Sequence, residues 1–309
     1  MKNCGYFQYY FCNRWANTAL IVQIDRRIGR FVPMESDPSP SVTLGSHIYN
    51  WKTMTWKSEI SFRSLTSQLD DAGLNLCAQL SLADLADSMP DLDLLTQHDA
   101  TQPRDKARFR NILLIGSAGK KLWQAMPAEY LQRDNPVDEY SVDCVNRVFA
   151  QLLPDDSWQF LFPISPSGVE ISLQSLGLQA GWHHASPLGI GINGQQGLWF
   201  AYRAVLVVEC DIVDVDQIVE VTGESPCLSC DGKPCLSRCP AQALDFGSDP
   251  DLSACVAHRV LPESECVSTC LARLACPVAP QFKYSDEQVA YFYQRSLASA
   301  ISWVASAGE

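Results

Sequence analysis

Eight of the thirteen cysteines in this 309-residue chain fall between Cys227 and Cys276. They stand as Cys227-Leu-Ser-Cys230-Asp-Gly-Lys-Pro-Cys235-Leu-Ser-Arg-Cys239-Pro240, then Cys255, then Cys266-Val-Ser-Thr-Cys270-Leu-Ala-Arg-Leu-Ala-Cys276-Pro277. Thiols this dense form a disulfide framework or bind metal. A disulfide framework needs an oxidising compartment and therefore an export signal. The N-terminus offers Lys2 and an aromatic stretch, Tyr6 to Phe11, but Arg14 soon follows it and no convincing small-residue cleavage site comes after. A cytoplasmic protein is expected, and in a reducing cytoplasm clustered cysteines read as metal ligands.

A cubane [4Fe–4S] cluster needs four thiolates at its corners. One wrapping loop supplies three of them, and the fourth comes from elsewhere. In two-cluster ferredoxins the cysteine that precedes proline ligates the other cluster. Applied here, the rule gives one cluster to Cys227, Cys230, Cys235 and Cys276, and a second to Cys255, Cys266, Cys270 and Cys239. Both crossing cysteines are followed by proline, and no cysteine of the segment is left over. The spacing departs from the usual one between the second and third ligands, where Asp231-Gly232-Lys233-Pro234 replaces two residues. These are turn formers that a loop can absorb. Zinc is the competing ligand, since a Cys4 zinc site accepts paired CxxC motifs. Cys266 and Cys270 are not such a pair, and zinc has no need of Cys-Pro.

The elements that must hold this segment lie mostly upstream. Residues 1–56 show no sustained period and read as an irregular N-terminal extension, with Met34 and Met54 as alternative starts. Regular patterning begins near Ser58. Ile60 to Leu76 reads as a helix, and Asn111 to Gly116 as a short buried strand. Ala118 to Leu131 reads as a helix broken near Pro127. Pro136 to Leu153 is a stronger helix, with Val137, Tyr140, Cys144, Val148 and Leu152 on one face and Asp134 or Asn135 as cap. Trp158–Phe162, Leu188–Ile192 and Ala204–Glu209 read as strands, and Ile171 to Trp182 as a further helix. Cys144 and Cys210 are expected in the core. Strands alternating with helices indicate an α/β (α+β) layered domain over residues 57–216. Asp211 to Ser225 reads as a linker. A ferredoxin-type module follows over 217–281, and then a C-terminal helix over 282–309 that begins at Ser285.

Composition closes off other classes. Hydrophobic residues make up 47% and charged residues 19%, so the chain is globular, and the net charge of −12 without a basic block argues against binding nucleic acid through its phosphates. No apolar run reaches the roughly 18 residues of a membrane-spanning helix, so no membrane partner is expected.

Three features resemble known families. The cysteine pattern resembles the cluster segment of epoxyqueuosine reductase. The stretch Leu188-Gly-Ile-Gly-Ile-Asn-Gly-Gln-Gln-Gly-Leu-Trp-Phe-Ala-Tyr-Arg-Ala-Val-Leu206 looks like the glycine-tryptophan stretch of that enzyme and of the cblC-type cobalamin-processing protein. So do Ile112-Leu-Leu-Ile-Gly-Ser117, Asn135-Pro-Val-Asp138 and Tyr284-Ser-Asp-Glu-Gln-Val-Ala-Tyr-Phe292. The resemblance, which also takes in bacterial 4Fe–4S ferredoxin-like proteins, covers about Asn111 to Phe292. It implies a nitroreductase-like, cobalamin-processing-like layered domain beside a ferredoxin-type 2[4Fe–4S] module. It also implies a cobalamin-dependent reductase in which two [4Fe–4S] clusters pass electrons to a corrinoid-type cofactor or substrate. The electron donor would be a ferredoxin or flavodoxin. The alternatives are a ferredoxin-like carrier without catalysis and a reducing cobalamin chaperone.

The implied cofactor loop runs from Ser186 to Arg203, with Gly189, Gly191, Gly197, Trp199 and Arg203 as binding residues. Asn193-Gly194 stands where the relatives carry His-Pro, and no segment matches the catalytic-acid region of epoxyqueuosine reductase. Trp199, Phe200 and Tyr202 read either as a flat-cofactor wall or as core aromatics. Arg203 reads as the partner of an anionic substituent or, more simply, of a buried carboxylate. His183-His184 offers an axial imidazole, against the simpler surface turn. His258 is either a donor near the second cluster or exposed.

Overall fold

The computed structural model describes residues 43–44, 47–48, 59–85, 109–154, 157–165, 171–215 and 223–307. The expected irregular extension, residues 1–56, lies outside these except for two short antiparallel strands, β1 (Thr43–Leu44) and β2 (His47–Ile48).

The centre is a four-stranded sheet. Its strands are β4 (Leu76–Ser81), β5 (Asn111–Ala118), β6 (Trp158–Phe162) and β9 (Phe200–Val208), in the order β4-β5-β9-β6. Every pairing is antiparallel. The two central strands are apolar along their length because both of their faces are covered. Ile112, Leu114, Val205 and Val207 point into one core, and Leu113, Ile115, Ala204, Leu206 and Val208 into the other.

Helices close both faces. On one side lie α1 (Phe62–Asp71), through Leu65 and Leu69, and α4 (Pro136–Leu152), through Val137, Tyr140, Cys144, Val148 and Phe149. On the other lies α5 (Leu173–Gln179), with Leu173 and Leu176 packed beside Trp182. Two short helices, α2 (Leu82–Leu85) and α3 (Lys121–Ala125), fill the connections. Fully burying a leucine contributes about 1.5–3 kcal/mol, so these two faces carry much of the stability. The result is a mixed, helix-flanked α+β domain.

Several boundaries differ from the sequence expectation. The helix expected over Ile60–Leu76 is α1 alone. Ser61 caps it, its hydroxyl accepting from the Ser64 N–H at 3.3 Å, and the chain turns at Ala72-Gly73 into β4. The residues before it, Glu59–Ser61, form β3, which pairs in parallel with β10 (Asp211–Val213). The start of the expected linker is therefore a strand, tied down by an Arg110–Asp211 ion pair at 3.0 Å. The helix expected over Ala118–Leu131 is only α3 followed by a 3₁₀ turn, Ala128–Gln132, because Pro127 separates them. At the start of α4 the Asn135 side chain does not cap. Instead the Glu139 carboxylate accepts from the Asn135 N–H at 3.1 Å. Cys144 and Cys210 are buried as expected.

The cysteine segment carries three short helices, α6 (Pro234–Ser237), α7 (Leu252–Arg259) and α8 (Leu271–Leu274). The last helix, α9 (Asp286–Ala307), starts where the Ser285 hydroxyl accepts from the Gln288 N–H at 3.2 Å. This helix ties the two parts together. Tyr291 packs on Trp123 at 5.1 Å, and the Arg259 guanidinium on α7 donates to the Tyr293 carbonyl at 2.7 Å. Among the described residues no helix is long and apolar enough to cross a membrane.

Candidate functional site

The eight cysteines gather in two neighbourhoods. Cys227 and Cys230 lie on the turns that lead into α6, Cys235 lies within α6, and Cys276 follows α8. Burial raises the Cys227, Cys235 and Cys276 thiols above their ordinary range. Each also feels other members of this set: Cys276 feels Cys227 and Cys230, and Cys235 feels Cys276 and Cys230. The second neighbourhood draws Cys255 from α7, Cys266 and Cys270 from the loop before α8, and Cys239 from the turn after α6. Burial pushes the Cys255 thiol up to about 11, and Cys270, Cys239 and Cys266 add to that; Cys266 in turn feels Cys270 and Cys239. Among the described residues no three His, Cys, Asp or Glu side chains are arranged to hold a single metal ion. A cubane makes a wider demand, because each thiolate meets a different corner.

The two neighbourhoods sit in different surroundings. The first borders a niche of about 20 Å³ walled by Pro226, Pro234, Pro277 and Phe246. The second opens on a cavity of about 460 Å³, within the roughly 300–1,000 Å³ usual for small-molecule sites. Cys239, Cys255, Cys266 and Cys270 line one part of it, while Asp138, Phe200, Tyr202 and Arg203 line another.

Arg203 is 5% exposed, its Nε–H donating to the Ser117 hydroxyl at 3.0 Å and its guanidinium lying 5.2 Å from the Phe292 ring centre. Asp138 sits in the first turn of α4. Loss of surrounding water pushes its carboxyl up to about 6, against the pull of Arg203 and Arg295. The Arg203 charge acts on the Asp138 carboxyl, and both groups line the same cavity.

The other expected site residues divide. Phe200 and Tyr202 line the cavity, but Trp199 does not: it is 1% exposed in a core with Tyr284 and Val289. The glycine loop makes its close approaches to protein, although Gly191 also lines the cavity. A side chain at Gly197, where φ is +61°, would strike the Val278 carbonyl, and one at Gly191 would strike the His183 ring. Gly189 turns beside Pro250. The simple surface turn expected at His183-His184 is wrong. His183 is buried and stacked 6.0 Å from Phe200, and burial lowers its pKa to about 4; His184 begins β7 (His184–Ala185), which pairs with β8 (Gly191–Ile192). The strand expected over Leu188–Ile192 is only β8. His258, one turn after Cys255 on α7, lines the cavity.

Four residues that sequence reasoning passed over belong to this wall. Asp138 and Tyr284 entered only as parts of resembling segments. Thr269, Arg273 and Tyr284 line the cavity, and the Thr269 hydroxyl, the Arg273 Nε–H and the Tyr284 hydroxyl are buried without a hydrogen-bond partner. An arginine inside a four-residue helix between two cysteines was the available signal.

No protein-family model matches this chain, and no curated protein matches it. Solved structures do. Epoxyqueuosine reductase from Bacillus subtilis is similar at 13% identity, over 77% of this chain and 80% of that one, with a TM-score of 0.43. The Streptococcus thermophilus enzyme is similar at 14% identity over the same shares, with a TM-score of 0.41. The B12-trafficking protein CblC from C. elegans is similar at 13% identity, over 78% of this chain and 94% of that one, with a TM-score of 0.41. Both relatives named from the cysteine spacing and the glycine-tryptophan stretch are thus among the solved structures to which this chain is similar.

Proposed function

We propose that this chain is a cytoplasmic two-cluster iron–sulfur oxidoreductase. In this reading Cys227, Cys230, Cys235 and Cys276 hold one [4Fe–4S] cluster on the niche side. Cys239, Cys255, Cys266 and Cys270 hold the second at the cavity wall. The donor chemistry fits, since eight thiols fall in two neighbourhoods of four. Three buried donors also lack acceptors in the same cavity wall.

The observation that carries the reading is this shared wall, with one thiol set and the α+β domain enclosing a single cavity. When bound, the clusters supply one-electron storage, and a corrinoid-type cofactor supplies a metal that takes those electrons to substrate. The chain's own residues do the rest. Phe200 and Tyr202 give a flat ligand an aromatic wall. Arg203, held through Nε by Ser117, presents positive charge to an anionic substituent. The Asp138 carboxyl holds a proton at slightly acid pH and can release it into the cavity. Each turnover draws its electrons from outside, from a donor protein of the ferredoxin or flavodoxin class.

Anaerobic purification followed by iron and sulfide analysis tests the clusters. Eight motif thiols lead us to expect eight of each per chain. Stoichiometric zinc with negligible iron refutes the reading. Titration with hydroxocobalamin, and separately with a flavin, tests the cavity. Shifted visible bands identify the cofactor, whereas unchanged bands with intact clusters leave a plain electron carrier.

A further inference from the structure

We propose that Thr269 and Arg273 hold the cavity-side centre at a higher reduction potential than the niche-side one, so that electrons settle beside the cavity. The inference rests on the two-cluster reading above. Its starting point is the three donors without partners. A buried donor without an acceptor costs about 1–3 kcal/mol, so three in one cavity wall call for acceptors within that cavity.

Two of the three flank Cys270 in the chain and line the same cavity as the thiol set. Thr269 directly precedes Cys270 and lies three residues after Cys266. Arg273 donates its backbone N–H to the Cys270 sulfur at 3.4 Å. Its guanidinium is fixed by the Leu198 carbonyl at 2.6 Å and lies 4.6 Å from the centre of the Trp199 ring. The guanidinium is therefore held in place, near enough to Cys270 for the two to interact electrostatically. A second buried cation, Arg259, is 2% exposed and donates through Nε to the Cys266 carbonyl at 3.1 Å. Hydrogen bonds to sulfur and fixed positive charge both favour the state that carries the extra electron.

The niche-side thiols have hydrogen bonds of their own, Ser225 to Cys227 and the Leu236 and Val278 N–H groups to Cys235 and Cys276, so the contrast lies in charge: the buried Arg259 pulls on Cys255 and Cys266. Pro226, Pro234 and Pro277 stand against its thiols, and proline has no N–H to give. Its own cation, Lys233, lies 4.3 Å over the Phe246 ring and is partly in water, which screens it. Arg273 reaches Cys276 only as the weakest influence on that thiol. Deeper burial on the cavity side opposes added negative charge, and the two buried arginines offset it. The step is one electron leaving the niche-side centre and entering the cavity-side one; no bond forms or breaks and no proton moves.

The test is a dithionite titration of the anaerobically purified full chain, with each midpoint followed by electron paramagnetic resonance. In the wild type the cavity-side midpoint is the higher. Thr269→Val keeps the shape and removes the donor. It should shift the one-electron partition about tenfold toward the niche side, which is about 59 mV for a one-electron couple. Thr269→Ser should leave both midpoints in place. Arg273→Lys keeps the charge and loses the Nε–H, and should lower the cavity-side midpoint alone; it decides the matter if Thr269→Val fails to load its centre. Unmoved midpoints, or equal shifts of both, overturn the inference. Absence of clusters from the wild type overturns the functional reading itself.

Discussion

Asp138 gives the sharpest test of the cavity's electrostatics. Its carboxyl moves from an ordinary 3.8 to about 6, chiefly because the folded chain strips water from it. The shift of 6 − 3.8, at about 1.4 kcal/mol per pH unit, means that ionising Asp138 costs the folded state roughly 3 kcal/mol. The folded state binds this proton more tightly than the unfolded one. The stability it contributes is complete below the unfolded value and is lost as pH rises toward 6. About nine-tenths of the chains carry the proton at pH 5 and about one-tenth at pH 7, which follows from a value near 6.

Infrared or carboxyl-carbon magnetic resonance titration of wild type against Asp138→Asn isolates the signal. A midpoint near 6 is expected. Arg203→Met should move it higher, since the Arg203 charge pulls it down. Reduction of a cavity ligand should then slow as pH rises above 6 in wild type, and show no such step in Asp138→Asn. A midpoint near 4, or one indifferent to Arg203→Met, would refute the reasoning.

Cys276→Ser should disturb the centre built on Cys227, Cys230 and Cys235, whereas Cys239→Ser should disturb the other; paramagnetic resonance of each reduced variant assigns the loss. Gly197→Val should lower iron content at the niche-side centre, because its side chain would strike Val278, two residues from Cys276; unchanged iron in this variant would count against the packing described. Leu206→Ala, at a fully buried position of β9, should destabilise by about 2–5 kcal/mol and lower the thermal midpoint.

Sequence patterning reads best where burial is uniform. The runs Asn-Ile-Leu-Leu-Ile-Gly and Ala-Val-Leu-Val-Val announced β5 and β9 because both faces are covered. The α4 face was plain from its 3.6-residue spacing, and the two groups of four cysteines from Cys-Pro. What failed was set by distant partners. Strand β4 begins where the helical pattern continues, and only pairing with β5 makes it extended. Strand β10 was read as linker because its partner, β3, lies about 150 residues earlier. His183 faces inward because Gly191 leaves room for its ring, a fit that spacing does not reveal. Thr269 and Arg273 were unremarkable until the fold left their donors unmatched beside Cys270.

The four-residue helices α6 and α8 have a consequence for how such a protein is filled. Each joins a thiol of one neighbourhood to a thiol of the other: Cys235 within α6 to Cys239 just after it, and Cys270 to Cys276 across α8. A rigid turn of helix makes the two thiols move together. If the two sets hold clusters as proposed, filling one centre sets a ligand of the second in position, and losing iron from one pulls a ligand out of the other. When iron is scarce, the population should divide into full chains and empty ones, with few holding a single centre.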